Sequence, residues 1–204
     1  LTQKKGPLEI DYGGTLAEHG LKPEKDLVLA ALARVLGRPR EELEGFHIRS
    51  DSEIPLTRGL GASAAATIAG MLLGNILTGS HLSTDEIHQQ AWEIETHPDA
   101  VAAAFFGGLV FSAPGAEDPA IAHPLPLPLH PNWRFAVAWP GTEVSTQLAR
   151  SVLPPSLPHQ ATPRTVGRTL LLLHGLKEAD PRLVKAGIED EVHYQCELGA
   201  QWRG

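Results

Sequence analysis

One cysteine in 204 residues, Cys196, excludes an internal disulfide and leaves no thiolate cluster for a metal, which points to a reducing compartment. An excess of positive charge is missing too. Seventeen Lys and Arg stand against 24 Asp and Glu, a formal net charge of −7. That balance argues against nucleic acid or an anionic membrane as the main partner, while leaving room for a cationic pocket around a small anion. Long hydrophobic runs are absent. Stretches such as Val101–Phe106 and Leu170–Leu173 fall far short of the roughly 20 residues that cross a bilayer. No signal-peptide pattern is read. The expectation is a soluble cytoplasmic protein with neither a membrane nor a nucleic-acid partner. The composition that remains, 42% hydrophobic and 20% charged, suffices for one large domain or two small ones. The chain opens at Leu1 without a methionine and closes on QWRG, so a piece of something longer is expected.

Residues 23–36 (PEKDLVLAALARVL) predict a helix. Pro23 suits its first turn, Glu24 and Asp26 favour the positive end of its dipole, and Val28, Ala31, Leu32 and Val35 make one stripe. Gly37 and Pro39 stop it. In GFHIRS, Phe46 and Ile48 alternate with His47 and Arg49, as in a half-buried strand. A helix with Ala65, Ile68, Ala69, Leu72, Leu73 and Ile76 on one side follows a glycine-rich loop. Another begins with the capping-box pair Ser83 and Glu86 and carries Ile87, Ala91 and Ile94 at helical spacing. GGLVFS (107–112) and RFAVAW (134–139) read as strands. Between them, four prolines within His123–Pro131 remove four backbone donors, so that span is no central strand. It reads as a stiff edge or an interdomain crossing rather than as a proline-rich ligand for a partner module, and the domain boundary is placed there. A short helix near 145–150, a longer one at 164–174 with Val166, Leu170 and Leu173, and a third after Asp180-Pro181 complete a mixed, α+β pattern.

The glycine-rich loop raises a chemical question. Each glycine inside a helix costs about 1 kcal/mol relative to Ala, so Gly59-Leu60-Gly61-Ala62-Ser63 ahead of an Ala-rich helix implies that the backbone must be bare there. Glycines let a chain approach a ligand closely, and a helix starting just afterwards offers unpaired N–H groups and a partial positive charge: an anion site, most often for phosphate. The loop has neither the Lys-Ser/Thr ending of a Walker loop nor the third glycine of a dinucleotide fingerprint. Ser63 can cap the helix, touch a phosphate or ligate a divalent ion. The loop is not the G-x-S-x-G of a hydrolase nucleophile. His88, His123, His130, His159 and His174 show no i, i+4 pair, so no zinc site is read.

The full run Pro55-Leu56-Thr57-Arg58-Gly59-Leu60-Gly61-Ala62-Ser63-Ala64-Ala65 resembles the phosphate loop of the GHMP kinases (galactose, homoserine, mevalonate and phosphomevalonate kinases), P-x-x-x-G-L-G-S-S-A-A. Only the first serine is replaced, by Ala62. Within that superfamily, EIETHPDAVAAAFFGGLVFS (93–112) is similar to the homoserine kinase segment E-x-E-G-H-P-D-N-V-A-P-A-x-x-G-G. STQLAR (145–150) is similar to S-T-x-x-A-R, and DEVH (190–193) to the start of D-x-x-H-x-P-Y-R. The family's opening P-x-x-x-x-N-x-G-x-G-x-D and its closing glycine-rich strand have no counterpart in these residues.

The resemblance implies an α+β, two-lobe GHMP-kinase fold with both lobes incomplete. Residues 1–127 would form an N-terminal ATP-binding lobe like ribosomal protein S5 domain 2. Residues 128–204 would begin a ferredoxin-like C-terminal lobe, with substrate in the cleft between. It further implies that Pro55, Arg58, Gly59, Leu60, Gly61, Ala62, Ser63 and Ala64 wrap ATP, and that Ser63 and Glu95 hold Mg²⁺, for which hard oxygens are suited. The bland alternative for Glu95 is an exposed helix-end carboxylate beside Glu93. His97 and Asp99 would lie near the amino and hydroxyl groups of L-homoserine; on pattern alone, THPD is a helix-ending turn. Thr146 would orient the hydroxyl, and Arg150 would grip the carboxylate with two parallel bonds, its alternative being a solvated helix face. Thr146 and Asp99 are the candidate catalytic residues. His193 keeps a family place, but a lone histidine near a helix end is more often structural. Two departures matter. Ala100 stands where the family has an asparagine used on the substrate, and Glu197 falls where it has an arginine. The expected activity is ATP-dependent phosphorylation of L-homoserine to O-phospho-L-homoserine on the route to threonine. A different small-molecule GHMP kinase and a non-catalytic ATP-binding relative stay open. The family is often dimeric, which leaves a homodimer open as well.

Overall fold

The computed structural model describes residues 2–3, 5–79, 81–95, 98–112, 124–139, 153–189 and 192. They form two compact units, Leu1–Pro126 and Leu127–Gly204. In the first, β2 (Glu9–Gly14) and β3 (Phe46–Ser52) pair in parallel, Ile10 opposite Ile48 and Gly14 opposite Ser52. β1 (Thr2–Gln3) adds antiparallel to the other edge of β3, giving the order β1-β3-β2. Parallel neighbours require a crossover, and the short α1 (Thr15–Glu18) and α2 (Leu27–Leu36) supply it.

The single helix expected over 23–36 is corrected: Pro23–Lys25 is a separate 3-10 turn and α2 starts at Leu27. Asp26 is the physical reason. Its Oδ1 accepts the N–H groups of Val28 (2.7 Å) and Leu29 (3.3 Å), and the Tyr12 hydroxyl donates to its Oδ2 (2.8 Å). Asp26 is only 1% exposed, so these bonds are also what makes burying a carboxylate tolerable. Burial, and then the bond to Asp26, raise the pKa of Tyr12 above its usual range, which keeps the phenol a donor. At the other end Gly37, with φ 61°, closes the helix as the sequence predicts.

Helix α2 divides the core. Leu29, Leu32 and Ala33 meet Leu43 and Ile48 in one cluster, while Ala31 meets Ala64, Ile68, Met71, Ile87, Ala91 and Val101 in the other. Each wholly buried leucine contributes about 1.5–3 kcal/mol of transfer free energy.

α3 (Ala62–Leu77) follows the glycine loop, but its buried face is not the expected one. Ala64, Thr67, Ile68, Gly70, Met71, Gly74 and Asn75 are buried, whereas Ala69, Leu72 and Ile76 face solvent. Closeness of approach decides the face. A Cβ on Gly70 would sit 2.2 Å from the Val28 carbonyl oxygen, and one on Gly74 2.6 Å from the Val35 Cβ. The helices touch through the face with the least side chain.

α4 (Thr84–Ile94) carries the expected capping box between Ser83 and Glu86, and buries Ile87 and Ala91. α5 (Pro98–Phe106), which sequence reasoning read only as a turn and an apolar run, buries Val101 and Ala102. Gly107 and Gly108, both at positive φ, lead into β4 (Leu109–Phe111), which pairs with β5 (Leu125–Leu127) in a two-stranded sheet. Both strands of such a sheet are edges, so Pro126 costs β5 little.

In the second unit, RFAVAW forms no strand. Phe135, Val137 and Trp139 alternate as a strand would, yet all are exposed (Phe135 72%), and no partner pairs with them among the described residues. Just before them the Trp133 indole N–H donates to the Leu176 carbonyl (2.8 Å). α6 (Ala161–Glu178) extends beyond the expected 164–174, and Asp180 caps α7 (Pro181–Ile188). Val166 and Leu170, which mark the helical spacing of that segment, are 56% and 62% exposed. The two helices meet instead through glycines: a Cβ on Gly175 would lie 2.7 Å from the Val184 nitrogen, and one on Gly187 2.5 Å from the Leu172 nitrogen. The helix expected near 145–150 lies outside the described residues. No helix among the described residues is long and apolar enough to cross a membrane.

Candidate anion and metal site at the start of α3

β3 delivers the chain into the loop, and Thr15 braces its exit. The Thr15 hydroxyl lies 3.0 Å from the Ser52 carbonyl and 2.8 Å from that of Ile54, while the Ile54 N–H donates to the Ser52 Oγ (3.1 Å). Pro55 and Leu56 lead to Thr57, a β-branched residue at φ 57°. That conformation costs about 1–3 kcal/mol and is held only where the surroundings impose it, a trait of ligand-gripping loops.

Gly59 (φ 68°) and Gly61 (φ 75°) then turn the chain into α3. A Cβ on either would meet nothing within 4 Å, so these glycines serve the backbone angle and leave open space beside it. Gly61 is the N-cap, and no side chain caps the helix. Among the described residues no side-chain oxygen caps the first-turn amides, which stand at the positive end of the dipole, as an anion needs.

Ser63 does not cap. It lies inside the first turn, and its hydroxyl donates to Glu95 Oε2 at 3.0 Å. Glu95 terminates α4 and is 8% exposed, so the alternative of a solvated helix-end carboxylate is corrected. Its neighbour Glu93 is the exposed one and pairs with Arg34. A carboxylate is poorly served by the negative end of α4 and well served by the positive end of α3, where Ser63 brings it. Sequence reasoning missed Thr67, wholly buried, whose hydroxyl donates to Glu95 Oε1 at 3.1 Å. A signal for it existed: Thr67 follows Ser63 by four residues, one helical turn along the same face.

Among the other expected residues, Leu60 is partly exposed, Ala62 half-buried and Ala64 fully buried, so Ala64 offers the loop its backbone and not its side chain. Pro55 and Arg58 are half-buried in the loop. Asp99 is exposed in the first turn of α5, and Ala100 packs against the Ile87–Ala91–Val101 cluster. His97, Thr146 and Arg150, with His193, Cys196 and Glu197, lie outside the described residues. No group of three or more His, Cys, Asp or Glu that could hold a metal occurs among the described residues. Ser63 Oγ and the Glu95 carboxylate are nevertheless two adjacent hard oxygens. That set is too sparse to cage a cation, and it suits Mg²⁺, which takes one or two protein oxygens beside those of phosphates and water.

Residues 26–108, which run from the Asp26 cap through the loop to the second glycine ahead of β4, match the GHMP kinases N terminal domain. The α+β fold of the chain is of the GHMP-kinase kind. Its particular likeness is to homoserine kinases. It is 37% identical over 191 residues to the homoserine kinase of Corynebacterium urealyticum, covering 91% of this chain and 61% of that protein. Against the homoserine kinase of a Picosynechococcus species it is 36% identical over 168 residues, 82% of this chain and 54% of the other. A crystal structure of homoserine kinase from Cytophaga hutchinsonii superposes with a TM-score of 0.71 at 26% identity, covering 96% of this chain and 62% of that one. The chain thus spans less than two thirds of the length of these relatives.

Proposed function

We propose that this chain supplies the ATP-binding lobe and part of the substrate lobe of a cytoplasmic homoserine kinase, within residues 1–127 and 128–204 respectively. The reaction is phosphoryl transfer from ATP to the hydroxyl of L-homoserine, giving ADP and O-phospho-L-homoserine for threonine biosynthesis. One observation carries the reading: a serine and a buried carboxylate, Ser63 and Glu95, meet 3.0 Å apart beneath the bare start of α3. The similarity to homoserine kinases supports the choice of substrate.

In this reading Pro55, Arg58, Gly59, Leu60, Gly61, Ala62, Ser63 and Ala64 form the phosphate cradle, mainly through backbone N–H groups. Ser63 Oγ and Glu95 would hold Mg²⁺. Bound there, the ion would supply neutralisation of the phosphate charge. The chain's own work is positioning: the α3 amides fix the triphosphate, and the loop's preset angles avoid ordering it at binding. Asp99 and His97 orient L-homoserine, Arg150 holds its carboxylate, and Thr146 directs the hydroxyl in line with the γ-phosphorus. The hydroxyl oxygen bonds to that phosphorus, the bond to the β–γ bridging oxygen breaks, and the hydroxyl proton leaves to water.

A coupled ADP-release assay with L-homoserine, mevalonate, galactose and shikimate tests this. Saturable turnover is expected with L-homoserine, with kcat/KM at least about tenfold above the other alcohols. No turnover at millimolar L-homoserine rejects the assignment. A second reading, another alcohol kinase of the superfamily, is favoured by the packing of Ala100 against the core, which leaves position 100 without a polar group for the substrate. Turnover of a different alcohol would select it. ATP binding by calorimetry without any turnover would select the non-catalytic relative.

A further inference from the structure

We infer that Thr67 is a positioning residue that holds one oxygen of the Glu95 carboxylate so that only the other is offered to the metal. The inference rests on the reading of Ser63 and Glu95 as Mg²⁺ ligands. It begins from an unequal pair of hydrogen bonds. Ser63 is exposed and donates to Oε2 at 3.0 Å; Thr67 is 0% exposed and donates to Oε1 at 3.1 Å. The carboxylate is therefore gripped at both oxygens by two hydroxyls one turn apart on α3, one at the mouth and one in the interior.

A helical threonine ordinarily returns its proton to the carbonyl four residues back. Thr169, inside α6, bonds the Thr165 carbonyl in this way (3.0 Å), and Thr78, at the C-cap of α3, bonds that of Gly74 (3.0 Å). Thr67, the fully buried one, spends its proton across a helix interface instead. Leaving a buried hydroxyl unbonded costs free energy, and valine would fill the same volume without that requirement. The hydroxyl thus has a use that packing alone does not supply.

The two hydroxyls differ in what a cation does to them. When Mg²⁺ binds, the Ser63 oxygen is needed as a ligand and its hydrogen bond to Oε2 can be given up. Thr67, shielded from the mouth, keeps Oε1. Glu95 would then coordinate through one oxygen only. That suits Mg²⁺, which demands near-octahedral geometry, and disfavours Ca²⁺, which accepts both oxygens of one carboxylate. Outer-sphere partners of this kind typically change metal affinity by about 10–100-fold.

The test compares the full chain with T67V, T67A, T67S and E95Q. Calorimetry measures binding of ATP alone, of ATP with Mg²⁺ and of ATP with Ca²⁺; thermal melting is followed in parallel. T67V and T67A are expected to weaken Mg²⁺-dependent ATP binding about tenfold, leave metal-free ATP binding unchanged and narrow the preference for Mg²⁺ over Ca²⁺. T67S is expected to restore binding to within about threefold, because it keeps the donor and loses only a methyl group. The inference is overturned if T67V and T67A bind Mg²⁺ with ATP as the parent does, or if T67S is as impaired as they are. E95Q separates the two levels: if it leaves the Mg²⁺ dependence intact, the metal reading itself fails; if it abolishes that dependence while T67V does not, Thr67 alone is misassigned.

Discussion

Each unit contains a helix pair sealed by glycines, α2 with α3 in the first and α6 with α7 in the second, yet the pairs differ in what lies around them. α2 is covered on both sides, by the sheet through Leu29, Leu32 and Ile48 and by α3 through Ala31 and Met71. The flanks of the second pair leave Val166, Leu170 and Ile188 exposed. A glycine contact lets two helices approach, and it buries little apolar surface by itself. Further layers, present around α2 and absent around α6 among the described residues, turn close approach into a core.

Three measurements sharpen that contrast. The largest effect is expected at Gly70, where a methyl group would collide with the Val28 backbone oxygen at 2.2 Å and α2 cannot retreat. G70A should lower stability in urea unfolding by about 3 kcal/mol, despite the better helix propensity of alanine. A smaller and local effect is expected on acidification of the second pair. Arg182, through its side chain and then its N–H, holds the Asp180 carboxyl down to about 2. A depressed carboxyl contributes stability above the unfolded carboxylate pKa of about 3.9, and that contribution is lost as pH falls through the folded value. The amides of Arg182 and Leu183 should hold their chemical shifts from neutral pH to about 4 and move only near pH 2; movement centred near 4 would break the claim. The smallest effect should have the opposite sign. Gly167 has nothing within 4 Å of a would-be Cβ, so G167A should stabilise α6 by about 0.5–1 kcal/mol, read by the same urea titration.

Local chemistry was the legible part of this chain. Gly37 closing α2, the Ser83–Glu86 box and Asp180 at α7 are written in a few adjacent residues and appear as read. Through a family resemblance the sequence also pointed to Ser63 and Glu95, 32 positions apart, which meet at 3.0 Å. What it did not reveal depends on neighbours. The aliphatic count of α3 favours Leu72 and Ile76, but the packing face is chosen by Gly70 and Gly74, whose merit is the lack of a side chain. Strand-like alternation in RFAVAW says nothing about whether a partner strand stands beside it. Asp26 looked like a dipole residue inside a helix, and only the Tyr12 hydroxyl and the backbone angle reveal a boundary. Thr67 passed as one more member of an apolar helix because its partner lies on another helix.

The brace at Thr15 bears on the order of events during synthesis. Its hydroxyl reaches carbonyls 37 and 39 positions downstream, across the β2–α2–β3 crossover. A chain emerging from its first residue onward cannot shape the entrance of the glycine loop until Ser52 and Ile54 have appeared and folded back. Closing so long a span costs entropy that only the finished crossover repays. The entrance of the glycine loop therefore takes its shape only once that crossover has closed, and a chain that ends before Ile54 lacks the brace altogether.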